Sequence, residues 1–442
     1  MDRYLLTATL RADGSSVFAE NNRWGYFPSV ALAWRFTEEE FMEPLQNTLS
    51  NGKLRLTYGK TGNSSAMEGA ISYYKAGYEH VFGDKNSAGV YLNQIGNPDL
   101  TWETTTEWNV GLDLGFFNNR LNVTAEYYNR VIYDLLSSRK LLSYHEVTSI
   151  QANIGKTQSQ GFELTINTEN MRTPNFSWTS DFTFSFYRDK WKERDPSWNP
   201  GIHEKYKAPI RAIYAYASDG LIQPGDEVPQ MPGAIPGQVK IRDTGSYIYN
   251  EDGSIQVDTH GKPLRSKDPD GEINDADKIL LGSSDPGYLL GLNNSLRFKN
   301  FDLNIYFYGQ LNLWNNGSYK RTWLSGGANI DRGYNMPVTL QDTWSHDNMD
   351  AIYPTMLPST AGYGSGDYFW KKIWFIRCRN ITLGYTFPKQ FINKWSSNLR
   401  VYAEVTNPFV LTSYDGLDPE TDTANVSYPN MQGISIGVNV SF

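Results

Sequence analysis

Apolar residues recur at every second position in short segments along the whole chain, and the last ten residues show the pattern most plainly. In Gly433 to Phe442, Ile434, Ile436, Val438, Val440 and Phe442 share one face, while Ser435, Gly437, Asn439 and Ser441 share the other. A period of two predicts a β-strand. About ten residues rise roughly 33 Å, which at a tilt of about 45° crosses the apolar band, roughly 25 Å tall, of an outer membrane. A half-buried strand of a soluble sheet alternates in the same way, so this segment leaves both readings open.

The alternation predicts about twelve strands. Tyr4, Leu6, Ala8 and Leu10 share a face, as do Val30, Leu32, Trp34 and Phe36, and then Leu54, Leu56 and Tyr58. Trp108 to Phe116, Leu121 to Tyr127, Phe162 to Ile166, Phe176 to Phe186, Tyr288 to Phe298 and Phe301 to Leu313 follow, and Trp374 to Phe387, Leu399 to Val405 and the closing segment complete the series. The opposite faces carry Asp302, Asn304, Gln310 and Asn312 in one segment and Arg400, Glu404 and Thr406 in another. An Arg on a lipid-facing surface near mid-bilayer costs about 2–4 kcal/mol, so in a membrane the apolar face points outward and the polar face toward a wet lumen. Parity changes between Ile376 or Cys378 and Ile381 or Leu383, which predicts a bulge near Arg379 and Asn380.

The connections alternate in length. Short ones are 117–120, 169–175, 299–300 and 388–398, with 37–52 somewhat longer; long ones are 13–27, about 62–103, the stretch after Asp134, 190–286, 314–373 and 408–431. Turns on one side and loops on the other are the signature of an outer-membrane barrel. A soluble sandwich has no reason to sort its loops, and loops this long without structure of their own count against a compact soluble domain. The prediction is therefore all-β: one transmembrane antiparallel β-barrel unit over 1–442.

Composition agrees with a barrel. Aromatics make up 14% of residues, with Tyr 29 times, while mean hydropathy is −0.52, the balance expected of a wall with aromatic girdles around a wet interior. No stretch of about 18 apolar residues predicts a transmembrane helix. A net charge of −8 argues against nucleic acid as a partner. Cys378 is the single cysteine and the five histidines are scattered, so neither a disulfide nor a zinc site is expected. Met1-Asp2-Arg3 leads straight into the first alternating segment with no export signal. On the barrel reading, Met1 is internal to a longer natural protein and the chain is its carboxyl-terminal fragment.

Several blocks resemble a known family. RYLLTATLRADGSSVFAENNRWGYFPSVALAWRFTEEEFM (Arg3 to Met42), KLRLTYGKTGN (Lys53 to Asn63), NPDLTWETTTEWNVGLD (Asn97 to Asp113), IRCRNITLGYTFPK (Ile376 to Lys389) and YDGLDPE (Tyr414 to Glu420) are similar, in order, to the carboxyl-terminal barrel of SusC/RagA-type TonB-dependent outer-membrane transporters. The resemblance implies about the last twelve strands of a 22-stranded barrel, the plug being absent from this chain. It further implies TonB-dependent uptake of glycans or peptides in the outer membrane of a Gram-negative bacterium. The implied partners are a SusD-like surface lipoprotein, the TonB complex acting through a missing amino-terminal region, and the barrel-assembly machinery, whose signal the terminal Phe442 resembles. Alone, the partial barrel is expected not to transport, and its first strand presents an unpaired edge.

Candidate chemistry is sparse. Asp268, Asp270, Glu272 and Asp277, with Gly271 at a turn, overlay a calcium loop whose first ligand would be the weak donor Ser266; an acidic solvated turn is the alternative. Paired carboxylates such as Asp268 with Asp270, or Glu38 with Glu40, could be read as glycosidase acids, yet nothing sets two around a bond at the needed separation. No enzyme activity is predicted. The loop aromatics Trp314, Trp323, Tyr363 and Tyr368, with Tyr319, Tyr334, Trp344 and Trp370, could stack on a ligand or a partner, or simply pack within loops and girdles. Trp374 and Phe387 are assigned to girdles, and Cys378 to the lipid face as a small apolar residue. Two other functions keep the same strands: a self-contained diffusion porin and a surface glycan-binding β module.

Overall fold

The computed structural model describes residues 3–442 apart from 66–68, 83–84, 143, 146, 195–207, 260–263, 267, 318–332, 334–337, 356–365, 393–395 and 422–427. One antiparallel sheet of 12 strands forms the wall. Its strands are β1 (Tyr4–Gly14), β2 (Trp24–Trp34), β3 (Leu49–Asn63), β4 (Glu103–Phe116), β5 (Leu121–Tyr133), β6 (Lys156–Arg172), β7 (Phe176–Glu193), β8 (Tyr288–Phe298), β9 (Phe301–Asn315), β10 (Lys371–Thr386), β11 (Asn398–Thr412) and β12 (Gly433–Ser441). Each pairs with its neighbours in sequence, giving an up-and-down meander. Among the described residues no ladder joins β12 to β1, so both edges of the sheet are open.

Cross-strand register explains why the alternation is so regular. Leu6, Leu32, Leu56, Val110 and Tyr127 lie side by side across β1 to β5. The row at β6 to β9 is Ile166, Phe182, Leu292 and Phe307. These residues form the outer surface of a barrel wall: Leu6, Leu32, Leu56 and Tyr127 are exposed, as are Ile436 at 80% and Phe442 at 95%, while Val110 and the row at β6 to β9 are half-buried. One residue of slip would turn every such row toward the lumen, so the apolar band fixes the register. The expected bulge is present: Tyr306 pairs with Asn380 and Phe307 with Cys378, leaving Arg379 as the extra residue.

Three side chains depart from the sequence reading. Leu313 turns inward and is buried, because a second bulge intervenes between Gln310 and Leu313 on β9. Phe36 leaves β2 for a 3₁₀ turn and packs edge-on against Trp34 at 5.8 Å. Cys378 is on the outward-facing row but fully covered, paired with Phe307 and Phe409, whose rings meet at 6.2 Å.

All connections at one end of the sheet are turns: 35–48, 117–120, 173–175, 299–300 and 387–397. The other end carries 15–23, 64–102, 134–155, 194–287, 316–370 and 413–432. The first of these is shorter than the sequence suggests, because β1 and β2 stay paired up to Gly14 and Trp24. At the short end Glu39 accepts hydrogen bonds from Tyr4 Oη at 2.6 Å, Trp34 Nε1 at 3.1 Å and Arg3 Nη1 at 3.1 Å. The bond from Tyr4, then that from Trp34, holds its carboxyl below the ordinary carboxylate range.

The long connections are not structureless. Hairpins form at Tyr73–Phe82 with Lys85–Gln94 and at Leu136–Lys140 with Ser149–Asn153, and Ala212–Tyr216 pairs antiparallel with the distant Lys278–Ser283. A small core of Phe18, Phe27, Leu100 and Trp102 packs connections 15–23 and 64–102 against β2, with Phe18 and Phe27 at 5.3 and 5.4 Å from the Trp102 ring. Gly62 permits it: a Cβ there would sit 2.0 Å from the Phe27 ring. Residues 194–287 and 316–370 share a second core of Val239, Ile241 and Phe369, ringed by Tyr216, Leu221, Met231 and Tyr353. Polar bonds tie the same two segments, among them Ser218 N to Asp367 Oδ1 at 2.8 Å and Thr355 N to Gly237 O at 2.8 Å.

Candidate functional site

The inner face of the wall carries the charge. Arg55 on β3 donates to both Asp113 oxygens, at 2.8 and 3.0 Å, and also to Glu126 on β5. To reach Glu126 it crosses Gly111 on β4, where a Cβ would lie 2.8 Å from the guanidinium. The same device recurs where Arg400 on β11 bonds Asp302 on β9, at 3.0 and 2.5 Å, across Gly384 on β10. Arg130 pairs with Glu107 at 2.6 Å, and Asn304 bonds Asn293 and Ser295. Glycine serves here because the bridging side chain lies flat on the strand between its partners. Compensated charges and amides thus make the inner face of the wall hydrophilic.

Where β10 emerges at the long end, that polar surface becomes a latch. Arg377, 3% exposed, donates twice to Asp418 at 2.8 and 2.9 Å, and also to Glu420, which takes a further bond from Arg379. Asp418 in turn accepts the backbone N–H groups of Glu420 at 2.9 Å and Asn430 at 3.0 Å. Connection 413–432 is thereby drawn onto the inner wall. Beneath it Leu313, Ile373 and Phe375 form an apolar floor against Tyr308, Val410 and Tyr414. Sequence reasoning missed this latch, although both halves stand in the quoted blocks IRCRN and YDGLDPE. Two inward-facing arginines beside a mid-loop Asp-Pro-Glu are the signal it left unused.

The acidic residues proposed for calcium are not brought together. Asp277 is fully buried, with Oδ1 accepting from Thr244 N at 2.7 Å and Oδ2 from Asn274 N at 2.8 Å, where it completes a capping box on the turn Asp275–Asp277. Asp270 accepts from Glu272 N, and Asp268 N donates to Ser266 Oγ. The carboxylate that gathers backbone N–H groups here is Asp243, bonded to Gly245, Asp270 and Gly271. Among the described residues no three His, Cys, Asp or Glu side chains converge as a metal site. Glu38 is paired with Arg35 at 2.9 Å.

The proposed aromatics separate. Trp323 and Tyr363, with Tyr319 and Tyr334, lie outside the described residues. Tyr368 packs within the shared loop core, its hydroxyl donating to Ile352 O and its ring edge-on to Phe369 at 5.4 Å. Burial, followed by the proximity of Tyr353 and Asp342, raises its pKa. It lines a cleft of about 100 Å³ with Asn315, Tyr353 and Tyr414. Trp344 is buried, donating to Gln223 Oε1 at 3.1 Å. Trp314 stands apart from all of these, on the outer surface beside Lys372.

Known proteins match this arrangement. Residues 1–232 fit the family model described as TonB dependent receptor-like, beta-barrel. Over its full length the chain is 31% identical to the TonB-dependent receptor SusC of Bacteroides thetaiotaomicron and 29% identical to TonB-dependent receptor P3 of Formosa agariphila, covering 42% and 44% of them. The chain thus spans less than half the length of these curated relatives. The solved structure of the RagAB peptide transporter superposes on all of this chain and 46% of its own with a TM-score of 0.79 at 22% identity, a likeness of fold.

Proposed function

Because the chain belongs to the TonB-dependent receptor-like β-barrel family, we propose that it forms part of the wall of an outer-membrane importer. In this reading uptake of glycans or peptides is TonB-dependent, and a SusD-like surface lipoprotein sits over the long-connection end, which faces the cell exterior. Strands outside these 442 residues pair with the open edges of β1 and β12, and Phe442 serves as the barrel-assembly signal. The observation that carries this is the wall itself: an apolar outer face, a charge-compensated inner face and every long connection at one end. Open edges inside hydrocarbon cost several kcal/mol for each unpaired group, which speaks against a self-contained porin of twelve strands.

Affinity purification of the natural protein from outer membranes tests the proposal. A lipoprotein is expected to co-purify, and deletion of the gene is expected to abolish growth on one class of polysaccharide or peptide. A protein recovered alone, from a strain whose deletion grows normally on every such substrate, would refute it.

A further inference from the structure

The outer surface holds one feature that solute import does not use. On β9, Gln310 pairs with Phe375 and Leu313 with Ile373, so Leu311 and Asn312 face the single residue Trp374, with Asn312 at a φ of 60°. Without this bulge Trp314 would share the inward parity of Tyr308 and Gln310. With it, Leu313 and Asn315 turn inward and Trp314 turns out, paired with Lys372, whose Nζ stands 5.2 Å from the indole centroid. Across β8, Arg188 also projects from the outer face, its guanidinium 5.7 Å from both the Phe186 and Tyr288 rings. Arg188, Trp314 and Lys372 line one pocket of about 250 Å³, together with Gly282, Gly287 and Asn312.

The pocket's level in the wall limits its occupant. Immediately on its membrane side lies an aromatic cluster, Phe184 stacked on Tyr288 at 5.8 Å and Phe186 edge-on to Tyr288 at 6.0 Å, continuous with Phe162. That is the girdle at which the apolar band ends and headgroups begin. Two carboxylates also line the pocket, but both are engaged: Asp285 with Arg211 at 3.3 Å and with the donating Ser283 hydroxyl at 3.3 Å, and Asp189 with the Ile210 N–H. Arg188 spends one nitrogen on the carbonyls of Tyr187 and Gly287, at 2.8 and 3.1 Å, leaving donors free. Cations set on aromatic rings at a membrane boundary suit an anion attached to an acyl chain. The space is too small for a whole lipid, so the chains would lie along the aromatic surface.

We propose that Arg188, Lys372 and Trp314 form a binding site for the phosphate headgroup of a membrane lipid. The phosphate takes donors from Arg188 and Lys372, Trp314 carries the headgroup's first ring or glycerol unit, and acyl chains cover Phe184, Phe186 and Tyr288. The site rests on the barrel lying in a membrane but is independent of cargo and partner.

The test uses the full natural protein, delipidated in neutral detergent and titrated with lipid A by native mass spectrometry. Dephosphorylated lipid A is the control lipid and inorganic phosphate the competitor. One lipid A per chain is expected. Each juxtamembrane cation contributes about fivefold to anionic-lipid affinity, so Arg188→Gln with Lys372→Gln should weaken binding roughly thirty-fold. Lys389→Gln, at the short end, should not change it. Resistance of the barrel to denaturation by SDS at room temperature, measured on each variant, separates lost binding from lost folding. Equal affinity for the dephosphorylated lipid, unchanged affinity in a folded double variant, or displacement by equimolar inorganic phosphate would overturn the proposal.

Discussion

Arg377→Ala removes the centre of the latch and leaves Asp418 and Glu420 behind. The Arg377 and Asp418 side chains are each only 4% exposed, so Asp418 cannot recover its lost partner from water while connection 413–432 stays docked. Deleting one member of a buried pair costs about 3–5 kcal/mol. The connection can escape that cost by lifting off, which sets the effect at the smaller of the two free energies. Even at about 3 kcal/mol the open population rises roughly 150-fold, at 1.36 kcal/mol per decade. The N–H groups of Glu420 and Asn430 report on it directly, because both donate to Asp418, at 2.9 and 3.0 Å. Hydrogen exchange in detergent should show both amides deprotected while those of β11 and β12 stay protected. The Arg377→Ala/Asp418→Ala double variant should cost less than the sum of the singles, by about 0.5–3 kcal/mol of coupling. If Glu420 and Asn430 exchange in Arg377→Ala no faster than in the wild type, the latch does not hold the connection down.

Four further outcomes are expected. Leu56→Arg, on the outer row, should lower stability in lipid vesicles by about 2–4 kcal/mol relative to Thr57→Arg, its inward neighbour beside Glu107, as measured by urea titration. Gly384→Ala, whose Cβ would meet Arg400 at 2.5 Å and Asp302 at 2.6 Å, should displace that bridge and cost about 1.5–3 kcal/mol in the same assay. Gly237→Val combines a φ of 86° with a Cβ 2.4 Å from Trp344, so it should make 194–287 and 316–370 sensitive to trypsin while the barrel still resists SDS. The folded pKa of Glu39 is depressed, so its contribution to anchoring the 35–48 turn is present above the ordinary carboxylate pKa and lost as pH falls through the lower folded value. Trp34 fluorescence should follow that loss on acidification, and Glu39→Gln should abolish the transition.

The wall was legible because its signal is local. Leu6, Leu32 and Leu56 declare their face within their own strands, and the parity change around Arg379 can be seen without knowing what β10 pairs with. What sequence could not give was set by distant pairing. Leu313 and Trp314 exchange faces because β9 must pair with Tyr288 on one side and Ile373 on the other, and nothing within β9 announces Asn312 as left-handed. The latch joins residues about forty positions apart, Arg377 to Asp418, through groups that each look like ordinary surface charge. The long connections read as featureless because their core is assembled from single residues, Phe369 in one and Val239 and Ile241 in the other. Asp277 looked like a ligand because a capping carboxylate and a calcium carboxylate carry the same chemistry until their backbone partners are known.

Among the described residues the main-chain ladders join every strand of the wall only to its sequence neighbours, and every long excursion leaves and re-enters at the same rim. Lengthening 194–287 or replacing 64–102 therefore shifts no register and moves no residue of the apolar band. Such a scaffold can exchange its rim by insertion and recombination while the membrane continues to select the wall, so the two parts can diverge at different rates within one polypeptide.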